Sequence, residues 1–250
     1  MTSISLLRRP LLLALVYAAL LLLSLACLAP FFWMVVTSLK TEAETFRSPP
    51  TWIPINPTLD AYREIWTIKP FALYFWNSTV VSLSAALGST MLGALAGYGF
   101  SRFRFKGRGF LLGVFLATQM LPGVLLIGPY FFLVGQLGLY DTHAGLALGL
   151  ASVCLPFCAW MSKGFVEAVP VELDQAAMVD GCSRLGAFWR VVMPIITPGL
   201  TATMLFGFLL AWGDLLWALV LTSRESMGTV TLGVARMVGE FRIAWPMLMA

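Results

Sequence analysis

Charged side chains are scarce in this sequence. Only 11% of its 250 residues are Asp, Glu, Lys or Arg, whereas an ordinary soluble domain has about 25%. Five stretches contain no charged residue: 11–39, 71–101, 109–140, 142–162 and 191–213. Each exceeds the roughly 18 apolar residues that indicate a membrane-spanning helix. The shortage of charge therefore excludes an ordinary soluble domain and predicts a membrane protein.

Strict alternation of apolar and polar residues, the pattern of a transmembrane β-barrel, is also absent. Because lipid offers no hydrogen-bond partner to backbone N–H and C=O groups, the apolar stretches are expected to form helices. We predict an all-α integral membrane protein, a single polytopic domain over residues 1–250. Its helices are expected at about 11–39, 71–100, 109–134, 144–162 and 198–221.

Residues suited to catalysis or metal binding are few. The chain has one His and four Cys. Cys154 and Cys158 lie one helical turn apart with no His or carboxylate at ligand spacing, so we interpret them as packing residues. A membrane enzyme would need a cluster of such groups, so their scarcity disfavours that class of protein. No G-x-x-x-x-G-K-[ST] loop occurs, so the chain is not expected to bind ATP itself, and no cofactor is predicted.

Basic residues predict the orientation in the membrane. Four of them crowd the connection "SRFRFKGRG", whereas the next connection, beginning "GQLG", has none. By the positive-inside rule the first connection is cytoplasmic. Alternating sides from there places the N-terminus and segment 163–197 in the cytoplasm and segment 40–70 outside a cell membrane. The net charge of +4 does not indicate nucleic-acid binding, because the basic residues lie at helix ends rather than on one face.

The last eight residues, "IAWPMLMA", are apolar. As a helix they would rise only about 12 Å of a hydrocarbon core roughly 30 Å thick. A carboxylate at their end would then lie in lipid. We therefore expect about six transmembrane helices, with the sixth cut short in this sequence.

Small residues recur every fourth position in two of the predicted helices. The two stripes are Ala85, Ser89, Gly93, Gly97 and Gly199, Thr203, Gly207, Ala211. Such stripes let helices approach closely, and packing within the chain is favoured over a subunit interface. Pro122, Pro129 and Pro156 are expected to kink the third and fourth helices.

The segment "VELDQAAMVDG" interrupts the apolar pattern and predicts a short helix. Pro170 suits its first residue, its acids suit the positive end, and Gly181 suits a left-handed stop. Ser183 is expected to cap a second helix that ends at Pro194. The apolar side of this second helix, Leu185, Phe188, Trp189 and Val192, could be covered by the chain's own helices or by another protein.

The stretch "EAVPVELDQAAMVDGCSRLGAFWRVVMPIITPGL" resembles the EAA loop of permease subunits of binding-protein-dependent ABC importers. Gln175, Ala176, Ala177, Gly181 and Pro194 stand at the family's spacing, with Asp180 before the glycine. Further pieces resemble the carbohydrate-uptake branch, similar to the maltose-type permeases, in family order: "PFFWMVVTSLK", "TWIPINPTLDAYREIW", "NSTVVSLSAALGSTMLGALAGYGFSRFRFKGR", "QMLPG", "LGLYDTHAGL" and "LLAWGDLLWALVLT".

This resemblance implies the type I importer permease fold and a division of labour. A dimeric ATP-binding cassette ATPase would bind ATP and dock on the cytoplasmic loop 167–194. A second, usually different, permease chain would complete the path, and an extracytoplasmic substrate-binding protein would meet the outer side, where segment 40–70 lies. The residues expected to couple to the ATPase are Glu172, Asp174, Gln175, Ala176, Ala177, Asp180, Gly181 and Pro194.

Two positions depart from the family pattern. Gln175 replaces the usual glutamate, and Asp174 or Glu172 could supply the charge instead. Asp214 replaces an asparagine that is common in this branch. Each departure changes the charge at its position, so the charge-dependent contacts that the family makes there are not expected to be the same.

Asp214 is the one acid deep in a predicted span, which makes it a candidate for contact with the transported solute. A place at the external helix end, in contact with water or a partner residue, is an equal alternative. Other candidates for the substrate path are Trp212, Trp217, Gln119 and Asn77. For Gln119 and Asn77 a single hydrogen bond between helices is the competing interpretation.

The transported solute is expected to be a sugar, with a polyol or a glycerol phosphoester left open. The alternative function is a secondary transporter or channel that acts alone on a small polar solute. That class needs several charged residues inside the spans, and only Asp214 qualifies.

Overall fold

The computed structural model describes residues 3–67, 70–238 and 243–250, with side chains from residue 12 onward. Its α-helices, in chain order, are α1 Ser3–Ser38, α2 Glu42–Thr45, α3 Asp60–Thr67, α4 Phe71–Arg102, α5 Arg108–Thr118, α6 Gly123–Gln136, α7 His143–Ala168, α8 Val171–Val179, α9 Arg184–Ala187, α10 Met193–Trp212, α11 Leu216–Leu221, α12 Val230–Met237 and α13 Trp245–Met249. The only β pairing among the described residues is an isolated bridge between Val238 and Ile243. The all-α prediction is confirmed.

Within the described ranges, four segments are long and apolar enough to cross a membrane: Leu12–Ser38, Phe71–Arg102, His143–Ala168 and Arg184–Trp212. A fifth span is possible if α5 and α6, which meet at 97°, count as one. Residues 245–249, where a sixth helix is expected to begin, form the five-residue α13, and the sixth span stays a prediction. The chain forms two compact units, residues 1–70 with 236–250 and residues 71–235.

The first unit contains α1 and the arm that follows it. Residues 12–32 of α1 are exposed, as suits a helix in contact with lipid, whereas Val36, Thr37 and Ser38 at its end are buried. The arm is ordered by side-chain contacts: Glu44 accepts hydrogen bonds from the Thr51 hydroxyl at 2.7 Å and from the Ile55 N–H at 2.9 Å. Lys40 lies 4.6 Å from the centre of the Trp33 ring.

The second unit is built around the contact between α4 and α7. A Cβ added at Gly93 would lie 2.7 Å from Cys158 Cβ, and one at Gly97 would lie 2.6 Å from the Lys163 backbone nitrogen. On α10, Thr203 and Ala211 are buried, and a Cβ at Gly207 would meet Ala86 at 3.7 Å. Both small-residue stripes therefore pack within the chain, as predicted.

Two predicted helices are broken in the structure. The third is not one kinked helix, because α5 ends at Thr118 and α6 begins at Gly123. Pro122 lies at this break and has extended backbone (ψ 125°). Proline disfavours helical geometry in the residue before it, here Leu121, and has no N–H to donate into a helix, so a break is favoured at this position. The fifth is interrupted between α10 and α11, at residues 213–215.

Pro194 does not end the helix that precedes it, contrary to the prediction. Phe188–Val192 forms a π-helical turn that continues directly into α10. The Met193 N–H donates to the Phe188 carbonyl five residues back. This wider turn lets the chain pass Pro194, whose ring would clash with a carbonyl in the middle of an ordinary α-helix. The fourth helix also extends beyond the predicted Ser162, to Ala168, and is supported there by a Lys163–Glu167 ion pair of 2.7 Å.

Candidate functional site

The helix α8 begins and ends as its sequence predicts, to within one residue. Pro170 is the cap rather than the first helical residue, with φ −54° and ψ 133°. Gly181 has φ +88°, which confirms the predicted left-handed stop. The Cys182 N–H donates to the Ala177 carbonyl at 2.9 Å, so the stop satisfies a carbonyl at the helix end. These caps make α8 a well-defined unit of nine residues.

The predicted coupling residues divide between two faces of α8. Asp174 and Ala177 are buried, at 3% and 7% exposure, against the chain's own helices. The opposite face is exposed and carries Glu172, Gln175, Ala176 and Val179. Positions three and four apart lie on one side of a helix, so these four residues form one continuous surface. We call this surface the α8 face.

Asp174 is held by the end of α4. Arg102 Nε donates to Asp174 Oδ2 at 2.7 Å, and the Tyr98 hydroxyl donates to Asp174 Oδ1 at 3.1 Å. The charged pair is almost fully buried, with side-chain exposures of 7% and 5%. Arg102 also donates to the Val169 carbonyl at 2.7 Å. A buried carboxylate needs such partners, so Asp174 is not available on the surface to replace the missing glutamate.

The second helix of the segment begins as predicted, because the Ser183 hydroxyl accepts the Gly186 N–H at 3.1 Å. Its apolar residues separate into two groups. Phe188 and Val192 are fully buried in a cluster with Tyr98, Val166 and other residues of this unit. Leu185 and Trp189 remain 58% and 45% exposed. The chain thus covers half of the predicted apolar side itself.

Asn77 and Trp217, two of the predicted substrate-path residues, are buried at 1% and 3% exposure. The Asn77 amide donates to the carbonyls of Ser226 and Gly228 at 2.8 and 2.9 Å, and its oxygen lies 2.8 Å from His143 Nε2. Trp217 packs edge-on to Tyr130, with ring centroids 4.9 Å apart. Both side chains therefore make contacts that hold the unit together.

Asp214 and Gln119 lie at the two helix breaks. Asp214 Oδ1 accepts the Trp217 N–H at 2.8 Å and so caps α11, while Trp212 packs edge-on to Phe75. The Gln119 amide donates to the Val153 carbonyl at 2.8 Å and lines a cavity of about 290 Å³. Among the described residues, the one hydrogen bond that joins two predicted path residues is this local one from Trp217 to Asp214, whereas Asn77 and Gln119 bond to other partners. The path itself stays a prediction.

Arg102 and Tyr98 are the residues of this site that the sequence did not reveal. Arg102 counted only as one of several basic residues at a helix end. Its partner Asp174 is 72 positions away, and no local pattern joins the two. An acid on the buried side of a short helix was the available signal, because such a group requires a cation or donors.

The described chain is a polytopic helical membrane protein whose capped helix projects one exposed face. It shares its fold with a solved bacterial ABC transporter involved in the import of the acidic polysaccharide alginate. The TM-score is 0.82 at 20% identity, over 97% of this chain and 91% of that one. Residues 89–250 match the family described as "binding-protein-dependent transport system inner membrane component". The protein belongs to this family of ABC importer permeases, in its carbohydrate-uptake branch.

Curated proteins similar to this chain are named as ABC transporter permeases or as permeases of particular transport systems. The sulfoquinovosyl glycerol transport system permease protein SmoH of Agrobacterium fabrum is 35% identical over 223 residues, which cover 89% of this chain and 78% of that protein. The trehalose transport system permease protein SugB of Mycobacterium tuberculosis is 32% identical over 219 residues, covering 88% and 79%. The chain is accordingly an ABC importer permease subunit of the type I fold and a multi-pass inner-membrane protein.

Proposed function

We propose that this permease forms part of the translocation path for a sugar and couples through residues 167–194 to a separate dimeric ATPase. The ATPase binds and hydrolyses ATP. A second permease chain completes the path, and an extracytoplasmic binding protein delivers the sugar. The N-terminus and α8 lie in the cytoplasm. The membrane fold and the sugar-transport names of the relatives support this assignment.

The observation that carries the coupling proposal is the division of α8 into two faces. One face is fixed to the permease by the buried pair Asp174 and Arg102. The other, the α8 face, is open and includes the small residue Ala176. α8 is short, has a defined cap at each end and is held on one side. Such a helix can transmit the movement of a docked protein to the membrane helices. Any such coupling must come from different binding energies in the inward and outward states.

The charge on the α8 face comes from Glu172. Gln175 is exposed on this face but is uncharged, and Asp174 points to the opposite side. Glu172 lies three residues before Gln175, within one helical turn. We infer that Glu172 supplies the carboxylate that the family usually places at position 175.

The test replaces Ala176 with arginine in the complete importer. A bulky cation on the α8 face obstructs docking without entering the core of the permease. We expect Ala176→Arg to accumulate in the membrane normally but to retain less than a tenth of the ATPase on co-purification and to lose sugar uptake. The control is Gly109→Arg, at an exposed position at the start of α5 that lies outside residues 167–194 and where an added Cβ meets nothing within 4 Å. Full retention of the ATPase by Ala176→Arg would overturn the proposal.

Ala177 is unsuited to this test, although the spacing of the motif predicts it as a coupling residue. It is only 7% exposed and faces the chain's own helices. A large charged side chain there would have to enter the core, so loss of transport would report misfolding as readily as lost docking.

A further inference from the structure

Four basic residues lie in or beside the short connection between α4 and α5, and they fall into two pairs. Arg102 and Arg108 each form an ion pair with an acid of another helix, at 2.7 and 3.2 Å. Arg104 and Lys106 lie between them, are exposed, and have no ion-pair partner among the described residues. The fold therefore neutralises the outer two cations and leaves the inner two uncompensated.

The connection lies at the edge of the hydrocarbon core. Residues 103–107 alone separate the end of α4 from the start of α5. The third residue of α5, Phe110, is 75% exposed, and α5 is part of a candidate membrane span. An apolar side chain this exposed in a span belongs in the hydrocarbon. Because a helix rises only about 3 Å over two residues, the connection just before α5 stands at the level of the lipid headgroups.

Phenylalanines alternate with the cations along the connection. Phe103 and Phe105 are 41% and 43% exposed. The centre of the Phe105 ring lies 6.2 Å from that of Phe100, which in turn lies 5.9 Å from that of Phe115 in α5. These ring contacts hold the connection against α5 and give it an apolar side. Basic and aromatic side chains in one segment are typical of a membrane interface.

Charge and depth together favour lipid as the partner of the two free cations. The cytoplasmic leaflet of a cell membrane is negatively charged, and it attracts basic residues that lie close to a span. A docked soluble protein would have to reach the headgroup level to neutralise the same cations. The exposed face of α8, where the ATPase is proposed to dock, carries the acid Glu172 rather than a basic patch.

We propose that Arg104 and Lys106 bind the phosphate of an anionic phospholipid, with Phe105 beside the upper part of its acyl chains. Both side chains donate charge-assisted hydrogen bonds to phosphate oxygens. This site goes beyond the proposed function, because neither the sugar nor ATP takes part in it. Only the choice of the cytoplasmic leaflet depends on the proposed orientation.

The first test measures lipid binding by the assembled importer. Importer stripped of lipid in detergent is titrated with phosphatidylglycerol and with phosphatidylcholine, and bound lipids are counted by native mass spectrometry. Each Lys or Arg near an anionic lipid favours binding roughly fivefold, so we expect phosphatidylglycerol to bind at least about tenfold more tightly. Equal binding of the two lipids would overturn the proposal.

The second test removes the two free cations with the double variant Arg104→Gln, Lys106→Gln. Since both positions are exposed, the fold should be kept, while phosphatidylglycerol should bind about tenfold more weakly than to the unmodified importer. The matched control, Arg47→Gln with Arg63→Gln, removes the same charge from exposed positions of the arm.

An equal loss of binding in the double variant and its control would show that total charge selects the lipid, and this would reject the site. If the double variant does not accumulate in the membrane, the two single substitutions are measured against the same control. Retention of the full preference for phosphatidylglycerol by both would also reject the site.

A third comparison separates a lipid headgroup from a free anion. Importer carrying phosphatidylglycerol is exposed to an excess of inorganic phosphate, and to chloride at the same ionic strength. We expect the lipid to stay bound in both, because its acyl chains are held beside Phe105. Release by phosphate alone would show that the connection binds free phosphate, and lipid would be the wrong occupant.

The depth of the connection is tested with a spin label at Gly109→Cys, where an added Cβ meets nothing within 4 Å. Cys27 and Cys182, which are not buried, are first changed to serine. In membranes, we expect the label to meet dissolved oxygen and a water-soluble nickel chelate to intermediate degrees. A label at Leu92, 57% exposed within α4, gives the hydrocarbon reference. Free access of the chelate to position 109 would place the connection in water and contradict the proposal.

These readouts depend on neither ATP nor sugar, so they separate this site from the proposed function. A permease that prefers phosphatidylglycerol but binds no ATPase would refute the proposed function alone. A permease that binds the ATPase but shows no lipid preference would refute the lipid site alone.

Discussion

Asp174 and Asp214 are both aspartates in contact with helices, yet they act over different distances. The Asp174 carboxylate binds Arg102, 72 residues earlier in the chain, and is buried in an ion pair. The Asp214 carboxylate binds the N–H of Trp217, three residues later, and caps the next helix. Asp174 joins two segments that are distant in sequence, whereas Asp214 stabilises the start of the helix that follows it.

The difference shows at which of the two positions the contact requires a negative charge. The Asp174 pair needs a negative charge, because Arg102 is buried beside it and a neutral partner leaves that cation uncompensated. The cap at Asp214 needs only an acceptor oxygen, which asparagine also has. The family's usual asparagine at that position is therefore compatible with the observed geometry. Three substitutions test this contrast. The first alters the packing of α4, the helix that carries Arg102 to Asp174.

Gly97→Ala is expected to have the largest effect. The added Cβ would lie 2.6 Å from the Lys163 nitrogen and 2.8 Å from Ser162, so α4 must move away from α7, at a cost of about 3 kcal/mol in folding free energy. The readout is the thermal unfolding temperature in detergent. Gly99→Ala is the control two residues away, where a Cβ meets nothing within 4 Å. Equal unfolding temperatures for the two variants would contradict the close α4–α7 contact.

Gly181→Val is expected to have the next largest effect. A β-branched residue at φ +88° costs about 2 kcal/mol and moves the end of α8, so ATP hydrolysis should continue while uptake per ATP falls. Both rates are measured in proteoliposomes. Gly181→Asn is the milder comparison, because asparagine tolerates the left-handed region. Normal uptake per ATP in the valine variant would show that the geometry of this stop is not needed for coupling.

The smallest effect is expected at Asp214. Asp214→Ala removes the cap of α11 and should destabilise the protein by about 1 kcal/mol. Asp214→Asn keeps the acceptor oxygen and should retain both stability and sugar uptake. Unfolding temperature and uptake are measured for both variants. If Asp214→Asn unfolds normally but fails to transport, the carboxylate charge serves the sugar, and the capping interpretation is incomplete.

The coupling segment shows how much local sequence can predict. The start of α8 near Pro170, its stop at Gly181 and the cap at Ser183 all follow from side chains that act on backbone within a few residues. Pro194 is the exception. Its usual effect is to end a helix, but the preceding π turn accommodates it. A π turn has no signal of its own in the residue pattern.

The apolar runs were less informative about their own breaks. The stretches around Gln119 and Asp214 look continuous by hydropathy, yet each is interrupted. Pro122 marked a disturbance, but the residue pattern did not predict the 97° angle between α5 and α6. At Asp214 an acid in an apolar run suggested contact with a solute. The structure shows that its carboxylate accepts a hydrogen bond at the start of α11, and contact with a solute stays a prediction.

The sequence by itself determined that this is a helical membrane protein and where α8 begins and ends. Those features depend on burial of backbone groups and on caps, both of which act locally. Only the tertiary structure decided which face of α8 is exposed and that Asp174 forms its ion pair with Arg102. Pairing over 72 residues depends on how α4 and α7 pack, and that packing is a property of the folded bundle.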